Sequence, residues 1–71
     1  MTIEQKILAV MFYSEYLAPE DVRNYIARRF NKYYYVETIS RAIRRLAEKG
    51  LVDYNWFDGH GNPHKKWKKV R

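Results

Sequence analysis

The chain has 71 residues, no cysteine and a formal net charge of +6. A chain this short folds as one domain, 1–71, and buries barely enough apolar surface to be stable alone. Without cysteine it has no disulfide framework and no thiolate zinc site. The longest apolar run, 7–13, is too short to span a bilayer, and the residues before it do not show a signal-peptide pattern. We therefore expect a cytoplasmic protein that does not bind a membrane.

The basic charge is concentrated in the later part of the chain. Residues 1–22 carry a net charge of −3, whereas residues 23–50 carry +6 and residues 51–71 carry +3. Such asymmetry predicts one positive face on the fold, which is typical of a protein that binds a polyanion. The alternative is that these charges only keep the surface solvated.

Two amphipathic helices are predicted in the first thirty residues. The first, about 3–14, begins at a capping box in which Thr2 is the N-cap and Gln5 reaches back to it. The second, about 19–30, has Pro19 at its first position, where a missing N–H does no harm. Both helices place apolar residues at helical spacing, so each is expected to bury one face.

The segment between the second and third helices contains three consecutive tyrosines. Asn31 is suited to end the second helix in a left-handed conformation. Tyr34 is predicted to plug the turn between the two helices. Tyr33 and Tyr35 either offer hydroxyls to phosphates or, as the alternative, join Tyr34 in shielding a small core.

The third helix, about 36–49, is the most informative stretch of the chain. Ile39, Ile43 and Leu46 recur every three or four positions and therefore define a buried stripe. Arginines gather on the opposite face. A helix of this width enters the major groove of B-DNA, and guanidinium forks match guanine edges or phosphates.

A β-hairpin is predicted after the third helix. Its strands are about 51–57 and 65–70, and the turn 58–63 between them is rich in glycine, asparagine, aspartate and proline. Trp67 is the expected inward anchor, and residues 16–17 are expected to add a short third strand or a single bridge. The predicted fold is therefore α+β, mainly α: three helices followed by a two-stranded hairpin.

The order of these elements resembles the winged helix-turn-helix family along nearly the whole chain. Residues 38–46, running into 48–52, are similar to the recognition helix and first wing strand of small prokaryotic regulators. Residues 17–22 are similar to the opening of the family's second helix. The chain departs from the family in its longer turn, 31–35, and in having Tyr35 at the N-cap position, where Ser or Thr is usual.

The resemblance implies that the third helix enters the major groove and that the hairpin, as a wing, contacts the minor groove or backbone. We expect base edges to be read by Glu37, Ser40, Arg41 and Arg44. We expect phosphates to be contacted by Tyr35, Thr38, Arg45, His60, Lys65, Lys66, Lys68, Lys69 and Arg71. The alternative is that the arginine face is only solvated and binds nothing. This alternative applies best to Arg44, because Arg44 can pair with Glu48.

Metal binding and catalysis find little support in the residues. His60 and His64 lie near Asp58, but a structural zinc site needs four ligands, usually including cysteine. We expect these histidines to lie near phosphate and to make binding pH-dependent. There is no glycine-rich phosphate loop, nucleophile elbow or carboxylate pair, so we expect no enzyme, no cofactor and no small-molecule substrate.

The sequence predicts a sequence-specific transcriptional regulator that binds double-stranded DNA, of the kind found in archaea or viruses. A lone module reads few base pairs, which favours a homodimer. One alternative is an architectural or recombination-directionality protein, and another is a protein–protein interaction module. A further alternative is binding of single-stranded DNA or RNA through Tyr33, Tyr35 and Trp56.

Overall fold

The computed structural model describes residues 1–59 and 61–71, and it contains three helices followed by an antiparallel β-hairpin. The elements are α1 Ile3–Val10, α2 Pro19–Phe30, α3 Val36–Glu48, β1 Val52–Gly59 and β2 Asn62–Lys69. More residues lie in helices than in strands, so the predicted α+β, mainly α layout is confirmed. No helix of the described ranges is long and apolar enough to cross a membrane.

α1 begins as predicted and ends earlier than predicted. The Gln5 N–H donates to Thr2 Oγ1 at 3.2 Å, and the Thr2 N–H donates to Gln5 Oε1 at 2.8 Å, which completes the capping box. The helix stops at Val10, so the predicted end at residue 14 is wrong. Met11 is extended and buried, and the Lys69 N–H donates to the Phe12 carbonyl at 2.8 Å. Pairing with β2 therefore takes the place of the last predicted turn.

α2 has the predicted bounds and a cap built from its own first turn. Ala18, at the N-cap, has no side-chain acceptor, but its N–H donates to Asp21 Oδ2 at 3.1 Å. At the other end, Asn31 adopts φ 52° and ψ 41°, which is the predicted left-handed conformation. Arg29 donates to the Ala9 carbonyl at 2.9 Å and so satisfies an acceptor near the end of α1.

The C-terminus of α3 fixes the direction in which the hairpin leaves. The Leu51 N–H donates to the Leu46 carbonyl and the Gly50 N–H donates to the Ala47 carbonyl, both at 3.0 Å. This pair of bonds is a Schellman motif, and it requires the positive φ of 75° that Gly50 adopts. Gly50 therefore ends α3 and begins the link to the hairpin.

The core lies where the three helices meet the base of the hairpin. Its largest fully buried side chains are Ile7, Val22, Ile26, Ile39, Ile43 and Leu46. The predicted apolar stripe of α3 is thus confirmed. Val52 and Trp67 are also buried and join the hairpin to the helices, as predicted for Trp67. No polar or charged residue is buried among those the structure describes.

β2 lies between β1 and a one-residue bridge. Leu17 and Trp67 exchange two backbone hydrogen bonds of 2.7 and 2.8 Å, which confirms the predicted bridge near 16–17. β1 runs to Gly59 and β2 starts at Asn62, so the predicted strand ends and the broad turn 58–63 are wrong. Asp58 pairs with Pro63 instead. Turn-forming residues extend into both strands here, so composition alone overestimates the length of the connection.

Candidate nucleic-acid interface

The four predicted base-reading residues lie together on the side of α3 that faces away from the core. Glu37, Ser40, Arg41 and Arg44 line one shallow groove of about 280 Å³. Glu37, Arg41 and Arg44 are exposed and Ser40 is half-buried. They share this face because positions three, four and seven apart coincide on a helix, while the apolar stripe holds the opposite side.

A second groove joins this face of α3 to the hairpin. It has a volume of about 480 Å³, and Ser40 and Arg44 line it together with residues from β2 and from the start of α2. The β2 residues are His64, Lys65, Lys66 and Trp67, and the α2 side includes Glu20 and Asp21. The two grooves share Ser40 and Arg44, so they form one continuous surface. The positive charge on this surface comes from α3 and β2. The α2 side carries two carboxylates, which repel an anion.

Arg41 and Arg44 have no carboxylate partner. In the parts of the chain that the structure describes, the two ion pairs both involve Glu4, which contacts Arg45 and Lys49. Arg44 therefore does not pair with Glu48, which was the main reason to regard it as merely solvated. Both guanidinium groups are available to an external anion or base edge.

Arg45 lies apart from the base-reading group, on the side of α3 that faces α1. Its Nε is 3.6 Å from Glu4 Oε2, and Lys49 Nζ is 2.7 Å from Glu4 Oε1. The hydrogen bond from Lys49, helped by the charges of both cations, lowers the pKa of Glu4 although burial opposes the shift. The Arg45 side chain is still 50% exposed. Its role at phosphates stays a prediction.

Each hairpin lysine lies over an aromatic ring and none forms an ion pair with a described residue. The distances from Nζ to ring centroid are 4.6 Å for Lys65 and Tyr54, 5.2 Å for Lys66 and Phe57, 4.9 Å for Lys68 and Tyr16, and 4.6 Å for Lys69 and Tyr13. Such cation–π contacts hold the ammonium groups in place without neutralising them. The lysines therefore remain a source of positive potential along the hairpin.

The remaining predicted phosphate contacts lie at the ends of the surface. Tyr35 is 80% exposed at the N-cap of α3, and Thr38 is half-buried on its first turn. Arg71 is exposed at the end of the chain. His60, predicted to lie near phosphate, is outside the described residues. His64 is exposed, and no three potential metal ligands lie together within residues 1–59 and 61–71.

The three tyrosines before α3 divide between core and surface. Tyr34 packs against the core, and its hydroxyl accepts a hydrogen bond of 3.1 Å from Lys6 Nζ, which confirms it as the plug of this turn. Tyr33 and Tyr35 are 77% and 80% exposed. The alternative in which all three shield the core is therefore wrong.

Sequence reasoning assigned no place in the double-stranded DNA site to the exposed aromatics of β1. Tyr54, Trp56 and Phe57 all reach solvent, and each has a lysine over its ring. The sequence does show aromatic residues in β1 and lysines in β2, which is the pattern that could have indicated these contacts. It does not show which residues face each other, and that depends on the strand register, in which Trp56 faces Lys65 and Phe57 faces His64.

Comparison with known proteins gives no relative from which a function could be transferred. The chain matches no protein-family model and no curated protein. What this surface binds must be inferred from its geometry and charge.

Proposed function

We propose that the chain is a winged helix-turn-helix protein that binds double-stranded DNA in a sequence-specific way and regulates transcription in the cytoplasm. α3 enters the major groove, and the hairpin is the wing on the adjacent backbone or minor groove. One observation carries the proposal: among the residues that the structure describes, Arg41 and Arg44 lie exposed and without carboxylate partners on a surface continuous with the lysines of β2.

The base-reading part of the proposal rests on the free donors of α3. Arg41 and Arg44 each present a planar fork, which matches O6 and N7 of guanine. Ser40 can donate or accept, and Glu37 can accept from cytosine N4. One good bidentate contact discriminates between bases by about 1–3 kcal/mol, so two arginines are sufficient for a definite preference.

The positioning part of the proposal rests on the hairpin. Residues 51–71 carry five basic and two acidic side chains, and the lysines are held over aromatic rings. Contacts of this kind go to phosphates, where they set register and orientation without reading sequence. Binding is therefore expected to weaken steeply with salt.

A homodimer is the proposed binding form. The longest dimension of the fold is 35 Å, close to the length of one DNA turn, so one copy places a single helix in a single major groove. Phe12 and Tyr25 pair edge to face at 6.2 Å between ring centroids and are 41% and 37% exposed. This apolar patch is a candidate contact between two copies.

Selection from randomised duplex DNA at two salt concentrations tests the proposal. A recovered motif with half-sites about one helical turn apart is the expected result. Strong, salt-sensitive binding without a motif would instead indicate an architectural protein. Absence of binding even at low salt would contradict the proposal and favour a protein-interaction module.

A further inference from the structure

One face of the hairpin carries an exposed pair of aromatic rings with a lysine between them. Tyr54 is 43% exposed and Trp56 is 55% exposed, and their rings meet at 90° with centroids 6.2 Å apart. Lys65, directly across from Trp56, places Nζ 4.6 Å from the Tyr54 centroid and 5.2 Å from the Trp56 centroid. We call these three residues the aromatic–lysine face.

Packing accounts for only part of this arrangement. Tyr54 contacts the buried Trp67, at 5.2 Å between ring centroids, so it links the face to the core. Trp56 lies further along β1, and more than half of its surface reaches solvent. A large ring left this exposed contributes little to the core, and such rings commonly mark a binding surface.

The opposite face of the hairpin repeats the pattern at the same level. Phe57 packs against Tyr16, at 5.3 Å between centroids, and Lys66 Nζ lies 5.2 Å from the Phe57 centroid. The hairpin therefore carries an aromatic ring and an unneutralised lysine on both sides. Its two acidic residues, Asp53 and Asp58, form no ion pair with any described residue.

We propose that the aromatic–lysine face is a stacking site for unpaired bases of single-stranded DNA. A base lies flat on the exposed indole of Trp56, and Lys65 neutralises the neighbouring phosphate. Aromatic rings and a basic groove are the two features that bind single strands with little sequence preference, because every base has a π-face. Duplex DNA cannot use the rings in this way, since its base faces are already stacked on one another.

Charge argues for this ligand over a second copy of the chain. The protein has a net charge of +6, residues 51–71 include five basic residues, and Lys65 lies against both exposed rings. Two copies meeting at this face would bring like charges together in a desolvated contact, which is unfavourable. A polyanion that also offers flat apolar surfaces satisfies both the lysines and the rings.

The test compares a twelve-nucleotide oligothymidylate with a sugar–phosphate strand of the same length that lacks bases. Fluorescence anisotropy of a dye-labelled strand measures the affinity of the unmodified protein and of every variant. In the unmodified protein, quenching of tryptophan fluorescence also reports stacking at Trp56, because Trp67, the other tryptophan, is buried. The variants are Trp56→Ala, Trp56→Phe and Lys65→Gln. Asn24→Ala is the control, since Asn24 is neutral and exposed on α2, outside both α3 and the hairpin.

Trp56→Ala is expected to weaken oligothymidylate binding by about 5- to 150-fold and to leave the baseless strand unaffected. Trp56→Phe keeps a ring and should retain most of the affinity, Lys65→Gln should weaken both strands, and Asn24→Ala should change neither. Thermal melting checks that each variant folds. Equal binding of the two strands by the unmodified protein, unchanged binding by Trp56→Ala, or an equal loss in Asn24→Ala would each overturn the proposal.

This site and the proposed duplex site can fail independently. Arg41→Ala is expected to impair selection of a duplex motif while leaving oligothymidylate binding unchanged. A protein that binds a duplex motif but does not distinguish the two single strands would refute the stacking site alone. Sedimentation of Trp56→Ala as a smaller species than the unmodified protein would assign the face to self-association and would also refute it.

Discussion

At the scale of single residues, Arg41 and Lys68 separate the two kinds of contact expected of a DNA-binding surface. Arg41 is exposed on α3 without a carboxylate partner, whereas Lys68 lies on β2 over the Tyr16 ring. Arg41→Ala should relax the preference at one base pair by about 1–3 kcal/mol. Lys68→Gln, which keeps an aliphatic stem over Tyr16, should weaken all sequences evenly and lower the salt slope by about 1.

Binding of both variants to the selected motif and to its single-base changes measures this difference. The unmodified protein supplies the reference profile, and melting curves show whether either variant is destabilised. A uniform loss of affinity in both variants, with the sequence profile unchanged, would mean that α3 does not read bases through this face.

Glu4 gives a second prediction at this scale, for stability against pH. Its pKa is lowered by the hydrogen bond from Lys49 and by the nearby charges, so the ionised form stabilises the folded state. That stabilisation is complete above the ordinary pKa of 4.5 and is lost as the pH falls through the lowered value. Glu4→Gln should therefore be less stable than the unmodified protein at about pH 7, and the difference should vanish at about pH 2.

Thermal melting of the two proteins across this range measures the effect. The two proteins differ only at residue 4, so the difference between their melting curves isolates this carboxyl group. Glu15→Gln is a suitable control, because Glu15 is exposed, lies outside the helices and forms no ion pair with a described residue. A difference for Glu4→Gln that persists at the acid end would show that its cause is not the ionised carboxylate.

At the scale of elements, the helix ends that the sequence predicted correctly are those fixed by residues close together in the chain. Thr2 with Gln5, and Gly50 after α3, act through hydrogen bonds within a few residues, and both are read directly from residue types. The end of α1 depends instead on a bond from Lys69 to Phe12, which are far apart in sequence. A helical pattern cannot reveal such a partner.

The candidate site also contains some features that local sequence patterns predict and others that depend on tertiary packing. Helical periodicity was sufficient to place Glu37, Ser40, Arg41 and Arg44 on one face. It did not show that Arg45 contacts Glu4 on α1, because that contact depends on how the two helices pack. The aromatic–lysine face likewise depends on the strand register, which the broad predicted turn did not specify.

Gly50, which ends α3, allows a test of how one residue's backbone conformation affects the stability of the fold. Its φ of 75° is unfavourable for residues with a Cβ, although a Cβ there would meet no atom within 4 Å. Gly50→Ala should therefore destabilise the fold by about 1–2 kcal/mol through backbone strain alone. Gly59→Ala is the matched control, because Gly59 has no positive φ and equally open space around it. Urea unfolding measures both, and equal losses would contradict the role assigned to the backbone of Gly50.

At the scale of the whole molecule, the charge distribution and the shape make one joint prediction. The first third of the chain is acidic, with a net charge of −3 over residues 1–22, and the proposed binding surface uses the positive charge of α3 and β2. The binding surface is therefore one-sided, and its length is limited by a fold that extends 35 × 24 × 20 Å. Two copies that bind cooperatively must then approach DNA from the same side.

That geometry predicts a dependence on the helical phase of the two half-sites. Inserting about 5 base pairs between them turns the second half-site to the opposite side of the duplex and should abolish cooperative binding, whereas inserting about 10 should restore much of it. Binding curves on the three duplexes, at equal length and salt, measure the effect. A duplex with one half-site deleted gives the affinity of a single copy. If affinity were the same at every spacing and well above that of the single half-site, a filament-forming architectural protein would explain it better than a homodimer, because filaments coat DNA without regard to phase.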